Sequence, residues 1–354
     1  MLKEQPEDIR IYDIECNLLL ILSKISSVNW TIYYNKVGTV EIHMAPNDYV
    51  VSQLLGYDYL LVVQGERQAV CTSHIIDDDI GIYGRTLNWF FEKRIVLPFQ
   101  IEELGLERND AESLVRYLVQ QAYMVDRTMT AASGETVVLK KVDNFILAPS
   151  TGEAWPEGDY SRETSHKLID VVIEYLDYIR CGQRLIADTK NKQFVFEIYQ
   201  GQERQLRISE DNRNASGMKL TVDCLDYCNS GFFEKTQEQA ADEEQEGNAQ
   251  NTQEWFFVDQ SDDITPLLRF EGQLSGTTAS EAKASLATKK KNKTIDAEVQ
   301  RLRYGVDYSL GDILSVEFQS GSYRSLQKQR VIGINYYYEI AKGVGIKPIL
   351  EDVI

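Results

Sequence analysis

The chain of 354 residues has little of what enzymes usually draw on. It has three histidines, His43, His74 and His166, and none stands in an HExxH or HxH pattern. No GxSxG elbow, GxxxxGK[ST] loop or GxGxxG turn occurs, so the common routes to an activated serine or a cradled phosphate are missing. The five cysteines, Cys16, Cys71, Cys181, Cys224 and Cys228, are odd in number and scattered, which fits a reduced compartment and no disulfide framework. Cys224 and Cys228 are the one close pair, but no second pair or nearby histidine completes a four-ligand zinc site. No metal or cofactor is expected. Basic residues are scarce, 37 against 55 acidic, giving a net charge of −18. Such a chain repels phosphate backbones, which argues against general nucleic-acid binding. No run of about 18 apolar residues is present, so no membrane-spanning helix is expected. The opening MLKEQPEDIR lacks the apolar centre of a secretory signal.

What the sequence does have is alternation. In WTIYYNKVGTVEIHM, Trp30, Ile32 and Tyr34 share one face and Val40, Ile42 and Met44 another, which reads as a hairpin about NKVG. DYLLVVQGERQAVCTSHII repeats the pattern about QGER, and QRLIADTKNKQFVFEIYQG repeats it about TKNK. Further strands are expected in GMKLTVDC, EWFFVD, LLRFEG, KTIDAEVQRL, LSVEF and VIGINYYYEI. Met218, Leu220, Val222 and Cys224 alternate with polar residues, which makes Cys224 a strand core residue. Ile332, Ile334, Tyr336, Tyr338 and Ile340 are expected on one face.

Helical spacing is confined to a few segments. Leu87, Phe90, Phe91 and Arg94 suggest a short helix. Asn109 followed by Glu112 resembles a capping box, and Leu114, Val115, Leu118, Val119 and Ala122 form the stripe of a helix over residues 110–124. A second helix is expected over 163–180, with His166 in its first turn and Gly182 as its stop. TTASEAKASLATKKK reads as a third, its lysines near the C-terminal dipole end. Residues 237–252 hold acids but no base and no large apolar side chain, the composition of a mobile loop. The outline is α+β and β-rich, without the βαβ alternation of a doubly wound sheet. Its expected parts are an N-terminal β-barrel region (1–98), a helix-containing middle region with hairpins (99–236), the acidic loop (237–252) and a C-terminal β region (253–354).

Three places invite a chemical reading. Asp77, Asp78 and Asp79 lack the spaced oxygens of a calcium loop and read as a solvated turn. Trp155, Pro156 and Tyr160 could form a sugar-stacking patch, or a connecting loop with buried aromatics. In YGVDYSLGDILSVEF (304–318), Asp307 and Asp312 could be a carboxylate pair for glycoside hydrolysis. Gly305 and Gly311 beside them point instead to a tight corner in which the aspartates bond backbone N–H groups.

Four segments, in order, resemble the family of long-tailed bacteriophage tail proteins that form the baseplate or tail-tip hub, in particular hub-like proteins of siphophages and prophages. They are IYDIECNLLLILSKISSVNWTIYYNKVGTVEIHMAP, IIDDDIGIYGRTLNWFFEKRIV, FVFEIYQGQERQLRISEDNRNASGMKLTVDC, and YGVDYSLGDILSVEF with RVIGINYYYEIAKG. The run Tyr304, Gly305, Asp307, Tyr308, Leu310, Gly311, Asp312 is the most specific part, and residues 237–252 look like an insertion.

The resemblance implies a virion protein with two tube-type β-barrel units per chain, so that a homotrimer matches a six-fold tail tube. It implies as partners the tail tube or distal tail protein on one side and tip or fibre proteins on the other, with a tape-measure protein also possible. DNA would pass through the lumen without specific binding. The loop 304–312 would be a structural corner and not a catalytic site. The rivals are a tail-associated cell-wall hydrolase, for which the sequence after the last hub-like strands is expected to leave no room, and a carbohydrate-binding module built on Trp155.

Overall fold

The computed structural model describes residues 7–158, 160–237, 252–259, 266–274, 278–299, 301–341 and 343–353. Most of the expected 237–252 loop, residues 238–251, lies outside the described residues.

The dominant element is a curled sheet of thirteen strands. Across it run Ala215–Asp223, Asn292–Val299, Gly343–Asp352, Tyr323–Glu339, Ile25–Tyr33, Thr39–Met44, Ile80–Thr86, Arg67–Ile76, Leu60–Gln64, Ile9–Tyr12 and Leu18–Leu22. Ile313–Ser320 pairs with Tyr323–Glu339, and Glu203–Ile208 joins Ile313–Ser320 in parallel. A parallel pair cannot be closed by a short turn, so the chain between them makes a long excursion. That excursion holds a small sheet of Ser230–Gln237, Thr252–Asp259 and Glu271–Gln273, and the helix Ala279–Thr288.

The three expected hairpins form. Trp30 lies opposite Val40, Leu60 opposite Cys71, and Leu185 opposite Phe196. Their alternation has a physical consequence, because one face of each strand is driven into a core. One core gathers Ile9, Trp30, Ile42, Leu60, Ile80 and Tyr336. A second gathers Tyr34, Ile208, Ile295, Tyr308, Leu314 and Leu350. The 17-residue strand Tyr323–Glu339 serves both: its first half pairs with Ile313–Ser320 and its second with Ile25–Tyr33. The fold is thus two β units sharing one continuous sheet. A third core lies between the helices Ala111–Tyr123 and Leu168–Tyr178 and the pair Gly182–Asp188 and Gln193–Tyr199.

Several local expectations are corrected. Tyr323–Glu339 shifts register between Val331 and Gly333, so Val331 and Ile334 are both buried although three residues apart. The face of Ile332 therefore differs from that of Ile334, Tyr336 and Tyr338, and Ile340 lies beyond the strand and exposed. The helix cap is Asp110, whose Oδ1 accepts from the Ser113 N–H at 2.8 Å, and not Asn109. Glu112 turns away from the cap to another task described below. The second helix begins at Leu168, five residues later than expected. Phe99 and Arg162 bridge, and His166–Lys167 pairs with Ile95–Val96, which holds the preceding segment extended. Gly182 opens a strand and does not stop a helix. Cys224 is exposed just past the strand Ala215–Asp223. LLRFEG contributes a strand only at Glu271–Gln273, after the short 3-10 turn Pro266–Leu268.

Candidate functional site

The run 304–312 forms the corner that feeds Ile313–Ser320 into the sheet. Tyr308 is fully buried and Leu310 nearly so, both in the second β core, and Tyr304 packs its ring against that of Tyr308 at 5.9 Å. Gly305 and Gly311 sit at φ +82° and +86°, a region that side chains with a Cβ avoid. The two aspartates take separate partners. Asp307 accepts from the Arg303 N–H at 2.6 Å and lies 3.7 Å from the Arg303 guanidinium. Asp312 is buried, and it accepts from the N–H groups of Gln202 at 2.8 Å and Ser309 at 2.9 Å and from Arg204 Nε at 2.9 Å. These contacts tie Asp312 to Gln202, Ser309 and Arg204 through charge-assisted hydrogen bonds.

The corner is built from more of the chain than the run itself. The ring of Tyr34 is wedged between glycines: a Cβ built on Gly311 would stand 2.3 Å from it, and one on Gly182 also 2.3 Å. A Cβ on Gly201 would stand 1.9 Å from the Gly311 carbonyl carbon. The Tyr34 hydroxyl lies 3.1 Å from the Tyr199 carbonyl oxygen and 3.2 Å from that of Arg180, and it accepts from the Gly201 N–H. Burial pushes this phenol up to about 12. Arg330 caps the group, donating to the Gly311 carbonyl at 3.0 Å with its guanidinium 5.7 Å from the Tyr34 ring centre. Tyr34, Gly201, Arg204 and Arg330 are far from 304–312 in sequence. The available signal was the isolated glycine in YQGQ, directly after a strongly alternating strand.

The other candidates are also placed. Trp155 donates its indole N–H to Glu112 Oε2 at 2.8 Å, and Glu112 also accepts from the backbone and hydroxyl of Thr151. Tyr160 is buried against Tyr175. Both pack on the third core, Tyr160 buried and Trp155 partly so. In the aspartate turn, the Asp77 side chain accepts from the Asp79 N–H, and Asp79 reaches His43 Nδ1 at 3.0 Å. The other ring nitrogen of His43 lies 2.8 Å from Glu41. His166 bonds Thr164, and His74 lies on the strand Arg67–Ile76. Among the described residues, no group of three or more His, Cys, Asp or Glu side chains is placed to hold a metal ion. No helix among them is long and apolar enough to cross a membrane.

The same fold is found in solved tail proteins. A tail protein from Neisseria meningitidis MC58 is 12% identical, with 98% of this chain and 96% of that one covered and a TM-score of 0.53. The 43 kDa tail protein of prophage MuSo2 from Shewanella oneidensis is 11% identical, with 98% of each chain covered and a TM-score of 0.51. No curated protein sequence is similar enough to count as a match. The architecture is therefore that of phage tail proteins. The chain itself belongs to the siphovirus ReqiPepy6 Gp37-like protein family, whose sequence pattern matches residues 8–350. The chain is thus a member of a siphovirus protein family with the fold of solved phage tail proteins.

Proposed function

We propose that this protein is the hub at the distal end of the tail tube. Three copies form a ring in which the paired β units of each chain continue the six-fold tube. The tail tube or distal tail protein docks above, and tip or fibre proteins dock below. Its role is assembly and DNA passage, not turnover.

One observation carries this reading: the two β units share the strand Tyr323–Glu339 in a sheet that ends in unclosed strands. Among the described residues its end strands are Ala215–Asp223 and Leu18–Leu22 on the main path and Glu203–Ile208 on the branch through Ile313–Ser320. An end strand is a template for further pairing unless it is covered. Beside Leu18–Leu22 the helix Asp48–Leu55 places Tyr49, whose hydroxyl bonds the Leu19 carbonyl. Leu18 and Ile21 on this strand and Tyr49 and Leu55 on the helix are all exposed, apolar side chains available to a subunit contact. The charge balance fits a conduit. Basic walls would hold a passing polyanion through counterion release, and a chain at −18 avoids that. We place more Asp and Glu than Lys and Arg on the lumen. The basic run 289–293 is engaged within the chain: Lys290 pairs with Glu351, Lys293 with Asp352, and Lys291 lies 4.8 Å over the Tyr227 ring.

Sedimentation of the purified chain tests the ring. A trimer is expected, and Ile21→Asp should reduce it to folded monomers. A wild-type chain that stays monomeric at high concentration, and in the presence of its tail-tube neighbour, contradicts the proposal.

A further inference from the structure

The small sheet in the long excursion is apolar on both faces. On its inner face Phe233, Val258 and Leu274 pack on Ala282 and Leu286 of the helix Ala279–Thr288. On its outer face the register sets Phe232 opposite Phe257 and Glu234 opposite Trp255, with Gln273 beside Phe232. Trp255 is 57% exposed, Phe257 45% and Phe232 36%. The Phe232 and Phe257 rings lie 5.0 Å apart. Trp255, Phe232, Glu271, Gly272 and Gln273 line one open depression of about 430 Å³. Glu271 is held at its rim by Arg269, Nε to Oε1 at 2.8 Å.

We propose that this depression binds a saccharide. Trp255 and Phe232 stack on the apolar C–H face of a sugar ring, and Glu271 and Gln273 bond to its hydroxyl groups. Three features favour this occupant. A sugar ring is apolar on its faces and polar around its edge, which matches an aromatic floor beside a carboxylate and an amide. Among the described residues no basic side chain lines the depression, and nearby Arg269 is already paired with Glu271, which disfavours a nucleic acid. Size decides against a protein partner. Two eight-residue strands and one of three, about 4.8 Å apart with about 3.4 Å per residue, span roughly 300 Å². A stable protein interface needs about 800 Å² from each partner. The depression is independent of the hub reading, because it lies in the excursion and uses none of the sheet's end strands.

The test is binding of the full chain to an array of bacterial surface saccharides (peptidoglycan fragments, capsular and lipopolysaccharide oligosaccharides), followed by calorimetry with each one retained. At least one is expected to bind. Trp255→Ala should weaken it at least tenfold, Gln273→Ala several-fold, and Tyr323→Ala, an exposed aromatic elsewhere, not at all. Melting temperatures should stay unchanged in all three variants. Retention of no saccharide, or equal binding by Trp255→Ala, overturns the proposal. So does a chain that binds no saccharide but loses a tail-protein neighbour on Trp255→Ala, since the shelf would then be a protein contact.

Discussion

Gly201 and Gly311 meet backbone to backbone, so close that a Cβ on the first would stand 1.9 Å from the carbonyl carbon of the second. Gly201 follows the strand Gln193–Tyr199 of the third core, and Gly311 leads into Ile313–Ser320 of the main sheet. Tyr34, at the end of the hairpin strand Ile25–Tyr33, fills the space beside them. Three distant parts of the chain are pinned at one point, and the short corner 304–312 is where that pinning is decided.

The two glycines of the corner separate strain from collision. Both sit at positive φ, but a Cβ on Gly305 meets nothing within 4 Å, whereas one on Gly311 strikes the Tyr34 ring. Gly305→Ala should cost about 1 kcal/mol of strain. Gly311→Ala should cost that plus about 1–3 kcal/mol of overpacking, and Gly311→Val more. Denaturant unfolding of the variants measures the difference. Equal losses would mean that Tyr34 yields freely and is no keystone.

The two aspartates should also differ. Asp312→Ala takes the acceptor from two backbone N–H groups at a buried position, while the half-exposed Arg204 turns to solvent, a loss on the order of 2 kcal/mol. Asp307→Asn keeps an oxygen for the Arg303 N–H at a partly exposed site and should cost about 1 kcal/mol or less. Thermal melts order the pair. A stable Asp307→Asn chain that had lost a lytic activity of the wild type would return these residues to the role of a carboxylate pair.

His43 should make local stability depend on pH. Both ring nitrogens face carboxylate oxygens, which only accept, so both contacts are satisfied only by the protonated ring. The hydrogen bond to Glu41 first, and that to Asp79 with it, raise its pKa above 6.5 despite partial burial. Tyr83 packs edge-on against the ring from the neighbouring strand, and Ser27, opposite His43 on the other side, does not titrate. A raised pKa in the folded state contributes stability that is complete below about 6.5 and is lost as pH rises through the folded value. An NMR titration should show that raised pKa, and hydrogen exchange in the turn 77–79 should quicken above it. His43→Gln should remove the pH dependence of that exchange.

Much of the β framework was legible because alternation acts locally: a strand with one apolar face must bury it, and Trp30, Ile42 and Tyr336 do. The register shift at Val331 and Gly333 was not legible, since a bulge adds one residue without altering composition, and it moved Ile332 off the expected face. The cap at Asp110 was misread because Glu112, the natural capping partner, is taken by Trp155 and Thr151 about 40 residues away. At the corner, the sequence displays Gly305, Gly311 and their aspartates together. It does not display Tyr34, Gly201 or Arg330, which arrive by tertiary packing. Trp255 drew no notice as a ligand contact, because an apolar strand reads as core until the structure leaves one of its faces uncovered.

The most direct test of the hub reading is cryo-electron microscopy of the assembled tail. The account predicts three copies of this chain around the tail axis at the distal end of the tube. The curled sheets should continue the tube wall, and the lumen should carry more Asp and Glu than Lys and Arg. A copy number other than three, a position off the axis, or a neutral or basic lumen lining would contradict it.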